Sequence, residues 1–262
     1  MKRKTLKIII LLLCISIIVY ILTFRVGKEG FEGGAPSIDV VVARYKENID
    51  WLRQYDDGAL GRLFIYNKSD KPVDYSNGRA KYIYRELPNV GVCDHTYLYH
   101  IIENYDDLAD VTVFLPGSGS LENKKETVDF IMEKVKSTYK TAFKVEPFPD
   151  RAVGEVLYNF TLEKWNVTSL ENRDSDGKLE LAKIRPFGKW YEARFPGIKV
   201  KAPVFGGIFA VSRDHIRSRD KEFYEELIKE VSTHKFHEAS HYIERSWTSI
   251  FRDVQDESFY VS

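Results

Sequence analysis

Apolar positions along this chain follow two rhythms, unbroken runs and helical stripes, and the two alternate. "IDVVVARY" (38–45) is an unbroken run of β-branched residues. Such a run predicts a strand buried on both faces and paired in parallel. "GRLFIYNKS" (61–69) and "ADVTVFLPG" (109–117) predict a second and a third strand. After the first run, "KENIDWLRQY" places Ile49, Trp51 and Leu52 at helical spacing. "DHTYLYHIIENY" (94–105) predicts a helix with Tyr97, Leu98, Ile101 and Ile102 on one stripe and Asp94 placed to cap its start. "ENKKETVDFIMEKVKS" (122–137) predicts a second, with Val128, Ile131, Met132 and Val135 inward. "FGGIFAVSRDHI" (205–216) reads as a strand opened by paired glycines, and "DKEFYEELIKEVS" (220–232) as an amphipathic helix. A last helix over 236–251 aligns Phe236, Ala239, Ile243, Trp247, Ile250 and Phe251.

This alternation predicts an α/β fold, Rossmann-like, with a mostly parallel sheet in a single domain over 38–262. The stretch 138–203 holds five prolines and a charged run, and is expected to supply connections and insertions. No internal repeat is visible. Ligands of such sheets sit beyond the carboxyl ends of the parallel strands. The residues expected there are Arg44, Tyr45 and Asn48 after the first strand, Gly117-Ser118-Gly119-Ser120 after the third, and Ser212 and Arg213 after the glycine-led strand.

The N-terminus has its own pattern. Residues 8–24, "IIILLLCISIIVYILTF", carry no charge and are long enough to cross a bilayer. Lys2, Arg3, Lys4 and Lys7 precede them, so the expected topology keeps 1–7 in the cytosol as a type II signal anchor. Gly-rich 25–37 then reads as a stem, and the rest faces a lumen or the exterior along an ER/Golgi-like route. A cleaved signal peptide is the alternative; no small-x-small site follows the apolar run.

Removing the six basic residues and one acidic residue of 1–30 leaves 33 Lys/Arg against 38 Asp/Glu. The exported part is thus mildly acidic, with no basic stripe suited to nucleic acid. Cys14 lies in the apolar segment, so Cys93 has no disulfide partner in the rest of the chain. Sequons at Asn67, Asn159 and Asn166 suit a glycoprotein of a eukaryotic lumen.

Several segments resemble one family. Val40–Leu52 matches V-V-V-A-R-Y-x-E-x-x-x-W-L. The helix segment matches H-T-Y-L-x-H-I-I-x-N-Y, the third strand V-F-L-x-G, and later stretches G-x-F-A-V-x-R and Y-x-E-R-x-W. On these the chain resembles the domain of unknown function 3431 family of fungi and some large DNA viruses, over about 38–251. The family in turn looks like GT-A-type glycosyltransferases, which implies a nucleotide-sugar donor and a glycan acceptor. It also implies a divalent metal held by Asp-x-Asp at the end of a buried strand. Here Pro116-Gly117-Ser118-Gly119-Ser120 stands in that place, a loop suited to phosphate or to an ordinary turn. Asp174-Ser175-Asp176 has no strand before it and reads as a solvated loop. Where the family has Gly-Arg-Glu ahead of His95, this chain has Gly91-Val92-Cys93-Asp94, which leaves Asp94 as the substitute acid.

The resemblance marks Tyr242, Glu244, Arg245 and Trp247 on the last helix. In that reading Glu244 serves as a general base. Together with the strand-end residues, the expected ligand-binding set is Arg44, Asn48, Asp94, His95, Ser118, Arg213, His241 and Arg245. Ion pairs of Glu244 with Arg44 or Arg213 are the structural alternative, and His95 suits packing equally well. A non-catalytic binding relative of the same fold is the second reading. A third comes from His237-Glu238-Ala-Ser-His241, which matches the H-E-x-x-H string of zinc peptidases. That chemistry needs a third ligand, and only Asp253, Asp256 and Glu257 remain near the chain end, besides Glu244 at the wrong spacing.

Overall fold

A computed structural model describes residues 36–75, 77–145, 156–163, 178–200, 202–252 and 254–261. The expected span 8–24, the stem up to 35, the sequon at Asn166 and Asp174-Ser175-Asp176 lie outside these residues. Among the described residues no helix is long and apolar enough to cross a membrane.

Residues from Ser37 onward form one compact unit around a five-stranded sheet. Strands β1 (Ile38–Arg44), β2 (Arg62–Asn67), β3 (Lys81–Glu86) and β4 (Val111–Pro116) are parallel, in the order β3-β2-β1-β4. A fifth strand of this sheet, Phe209–Ser212, closes the far edge antiparallel to β4. The mostly parallel sheet expected from the unbroken runs is therefore present. Its two faces explain the runs. Val41, Phe64, Tyr66 and Phe114 face one core layer, while Val40, Val42, Leu63, Ile65, Val113 and Leu115 face the other. With both faces covered, no position in β1 or β4 has to be polar.

Helix α1 (Val92–Glu103) covers the first face and α2 (Glu122–Thr138) the second. The inward stripe Val128, Ile131, Met132 and Val135 is buried as expected. Strand β5 (Phe143–Val145) follows, and α3 (Phe187–Arg194) adds Trp190 and Tyr191 to the core from the stretch read as connections. The glycine-led strand becomes β6 (Phe209–Ser212), which runs directly into a short helix α4 (Arg213–Arg217). Helix α5 (Lys221–Ile228) and the last helix α6 (Glu238–Ile250) complete the first layer, and β7 (Phe259–Val261) pairs with β5. Phe209 ties the sheet to α6 within the first layer: its ring centroid lies 5.1 Å from Phe114 and 5.0 Å from Trp247.

Three expectations change. The pattern "KENIDWLRQY" forms a 3-10 turn over Asp50–Tyr55, and β3 follows β2 without a helix between them. Strand β3 was not foreseen: it is an edge strand, half-exposed, with charged Lys81, Arg85 and Glu86. Helix α1 begins two residues earlier than read, so Asp94 lies inside its first turn and does not cap it. The start is set by Gly91, whose φ is +54° and whose amide donates to the His234 carbonyl at 2.9 Å. A Cβ there would stand 2.2 Å from the Val231 carbonyl oxygen, so only glycine fits.

Candidate functional site

The chain winds from β1 outward to β3, then returns to β4 on the other side of β1. That reversal leaves a crevice beyond the carboxyl ends of β1 and β4, where ligands bind in open α/β sheets. A cavity of about 350 Å³ opens there. Its walls come from every element that ends at this rim. Arg44 and Glu47 follow β1, Lys68 follows β2, and Ser118 and Lys124 follow β4; Cys93 and Asp94 begin α1, while His241 and Glu244 stand on α6.

Arg44 is buried, and its guanidinium is held by neutral oxygens: the Asn67 side-chain carbonyl at 2.6 Å, the Lys71 carbonyl at 2.7 Å and the Glu47 carbonyl at 2.9 Å. It makes no ion pair with Glu47 or Glu244, so its charge is met by neutral groups alone. Asn67 is buried too, and its amide donates to Ser69 and Tyr84. A glycan cannot be carried on that sequon without dismantling the Arg44 cradle. Asn159 is exposed.

Lys68 is the main residue the sequence did not single out. It is buried, and its ammonium donates to the Val90 carbonyl at 2.6 Å and to the Val92 carbonyl. Burial pulls it down to about 7, against weak support from Cys93 and Asp94. Asp94 moves the other way. Burial, then the charge of Glu244, push its carboxyl well above the usual range, although the Trp247 indole donates to it at 3.2 Å. Glu244 is half-buried among polar groups. Burial raises its carboxyl, but the hydrogen bond and charge of His241 lead the opposing effects, followed by Arg245 and the Gly206 amide at 2.9 Å, and the balance lies below the usual value. The two acids therefore separate: Asp94 favours the protonated form and Glu244 the ionised one.

The Gly-Ser loop is tied to its surroundings. Gly117 and Gly119 donate their amides to Ala43 and Pro116, and Trp51 donates its indole N–H to the Gly117 carbonyl at 3.1 Å. A Cβ at Gly119 would lie 2.6 Å from the Trp51 ring. The glycines thus serve close packing, and what remains for a ligand is Ser118, whose hydroxyl accepts from Lys124 at 2.8 Å.

The expected residues part company. Arg44, Asp94, Ser118, His241 and Glu244 line the cavity. Arg213 does not: β6 is antiparallel, so its carboxyl end lies at the opposite rim, where Arg213 pairs with Asp110 at 2.8 Å. Asn48 is exposed and accepts from the Asp50 amide at the start of the 3-10 turn. His95 is buried against Tyr99, and burial lowers it to about 3, which leaves a neutral ring. Arg245 stacks on Phe160, its guanidinium 4.1 Å from the ring centre, and supports His241 and Glu244 from behind.

The H-E-x-x-H residues do not share one site. His237 precedes α6, and its Nε2 accepts from the His234 amide at 2.8 Å. Glu238 is fully buried and gathers the Leu162 and Ala182 amides, the Tyr242 hydroxyl and Arg185. Only His241 reaches the cavity. Among the described residues no three His, Cys, Asp or Glu side chains are grouped to hold a metal ion. The divalent ion implied by the GT-A resemblance therefore has no fitting donor set there.

No curated protein matches this chain. The model of the family described as protein of unknown function DUF3431 matches residues 40–259, which include every cavity residue named above, and the chain belongs to that family.

Proposed function

We propose that this domain is a glycosyltransferase that takes its sugar from a nucleotide-sugar donor bound in the β1–β4 crevice. The observation that carries the reading is the meeting of ionised Glu244 with Arg44, Lys68 and Ser118 in one cavity at the switch point of a parallel sheet. The 3-2-1-4 order of the parallel strands supports a Rossmann-like, GT-A-related origin. In this reading Glu244 accepts the proton of an acceptor hydroxyl. The freed oxygen bonds to the anomeric carbon as the bond to the diphosphate breaks, and the diphosphate leaves with the electron pair. His241, with Nδ1 3.7 Å from Glu244, and Arg245 hold the carboxylate in place.

A thermal-shift screen of nucleoside diphosphate sugars, with and without Mn²⁺, tests this. At least one is expected to stabilise the protein, and Glu244→Gln is expected to lower turnover about 10²–10⁴-fold while donor binding persists. No stabilisation by any donor would end the reading.

A second reading, a binding module that kept the fold, has its own support. The Glu244 carboxylate is already engaged by Gly206 and Arg245, and Cys93 stands where the family pattern has Glu. Donor binding without transfer, indifferent to Glu244→Gln, would favour it. In both readings residues 8–24 anchor the domain on the lumenal side of a membrane.

A further inference from the structure

We infer that the cavity holds the diphosphate of its ligand with protein cations, with no divalent metal ion between them. This rests on the nucleotide-sugar reading but concerns a separate property of the site. Four basic side chains line the cavity: Arg44, Lys68, Lys124 and Lys235. They face three carboxyl groups, Glu47, Asp94 and Glu244. Asp94 favours its uncharged form and Lys68 is lowered to about 7, and Arg44, Lys124 and Lys235 still outnumber Glu47 and Glu244, so the lining carries excess positive charge inside a domain with five more acidic than basic residues over 31–262.

Three of these cations meet neutral oxygens: Arg44 and Lys68 donate to carbonyl oxygens, and Lys124 donates to the Ser118 hydroxyl. Burying charge this way costs stability unless something repays it. A diphosphate would, since it supplies the missing negative charge and several acceptor oxygens. The carboxylates are few and spread over separate elements. Glu47 spends one oxygen on the Tyr45 amide at 2.7 Å, and Glu244 is tied to the Gly206 amide. The cavity therefore offers a diphosphate far more than it offers a divalent cation.

The test is titration of the purified full chain with inorganic pyrophosphate, read by calorimetry, in EDTA and again in Mn²⁺. The expected result is similar affinity in both, with Lys124→Gln and Lys68→Met each weakening it about tenfold. Arg213→Ala, at the opposite rim, is expected to change nothing. Lys124→Gln lies at a partly exposed position and keeps the test valid should Lys68→Met fail to fold. Binding seen only with Mn²⁺, no binding, or binding indifferent to Lys124→Gln would overturn the inference. The first of these leaves the nucleotide-sugar reading standing. Tight pyrophosphate binding with no donor sugar bound would instead sink that reading and leave the inference intact.

Discussion

A lysine in a protein interior normally keeps a carboxylate beside it. Lys68 has two main-chain carbonyls at its ammonium, and this sets how stability responds to pH. Its value falls from 10.5 to about 7 on folding. Between those two values the unfolded chain binds the proton and the folded chain releases it, so stability rises with pH across that window and is flat below it. The slope contributed by one such group is at most about 1.4 kcal/mol per pH unit. Urea unfolding at pH 7 and pH 9 should show the wild type gaining about 2 kcal/mol more than Lys68→Met. Parallel profiles for the two proteins would show that Lys68 is not charged at a cost. At this scale the sequence was informative for Arg44, which ends a long apolar run and lines the cavity, and misleading for Arg213, which follows another such run and lies at the opposite rim. Lys68 sits in "YNKSDKP", which has the composition of a solvated turn; only the fold of α1 over it removes the water.

The last helix illustrates the element scale. Its apolar stripe was legible because six positions at helical spacing cannot be accidental in so polar a segment, and Ile243, Trp247 and Ile250 are buried as expected. Which polar residues did chemistry was not legible from the same wheel. Glu238 occupies the catalytic place of a peptidase string, yet it fastens the segments around Leu162 and Ala182 to the start of α6. Glu238→Ala would leave two amides and the Tyr242 hydroxyl without their acceptor. A loss of about 3 kcal/mol in chemical unfolding is expected. A loss below about 0.5 kcal/mol, within the usual range for surface changes, would refute the structural role. The metal content of the same preparation checks the peptidase reading: stoichiometric zinc would restore it. Strand β3 was missed for a related reason. An edge strand buries little, so "KYIYRE" needs no unbroken apolar run.

At the scale of the whole molecule, the sequons offer a test of which way the domain faces. If it enters a eukaryotic lumen, Asn159 is exposed and open to modification, whereas Asn67 is buried under Arg44. Expressed in such cells, the protein should lose endoglycosidase-sensitive mass on Asn159→Gln and retain it on Asn67→Gln. Mass lost with Asn67→Gln would mean that the Arg44 cradle is open in the cell. The run 8–24 and the lysines before it remain the basis of the proposed anchor.

What the sequence determined by itself is local. Continuous apolar runs required strands covered on both faces, helical stripes required helices on those faces, and their alternation required a mostly parallel sheet. Each conclusion follows from the spacing of neighbours along the chain. What only the tertiary structure decided is direction and convergence. Strand β6 runs antiparallel, which carries Arg213 to the far rim and brings Gly206 to the near one. Helix α1 begins beside the end of β2, which buries Lys68 against carbonyls 22 and 24 residues away. Apolar spacing repeats alike in a strand running either way, and the water around a charge depends on what is packed over it from elsewhere in the chain.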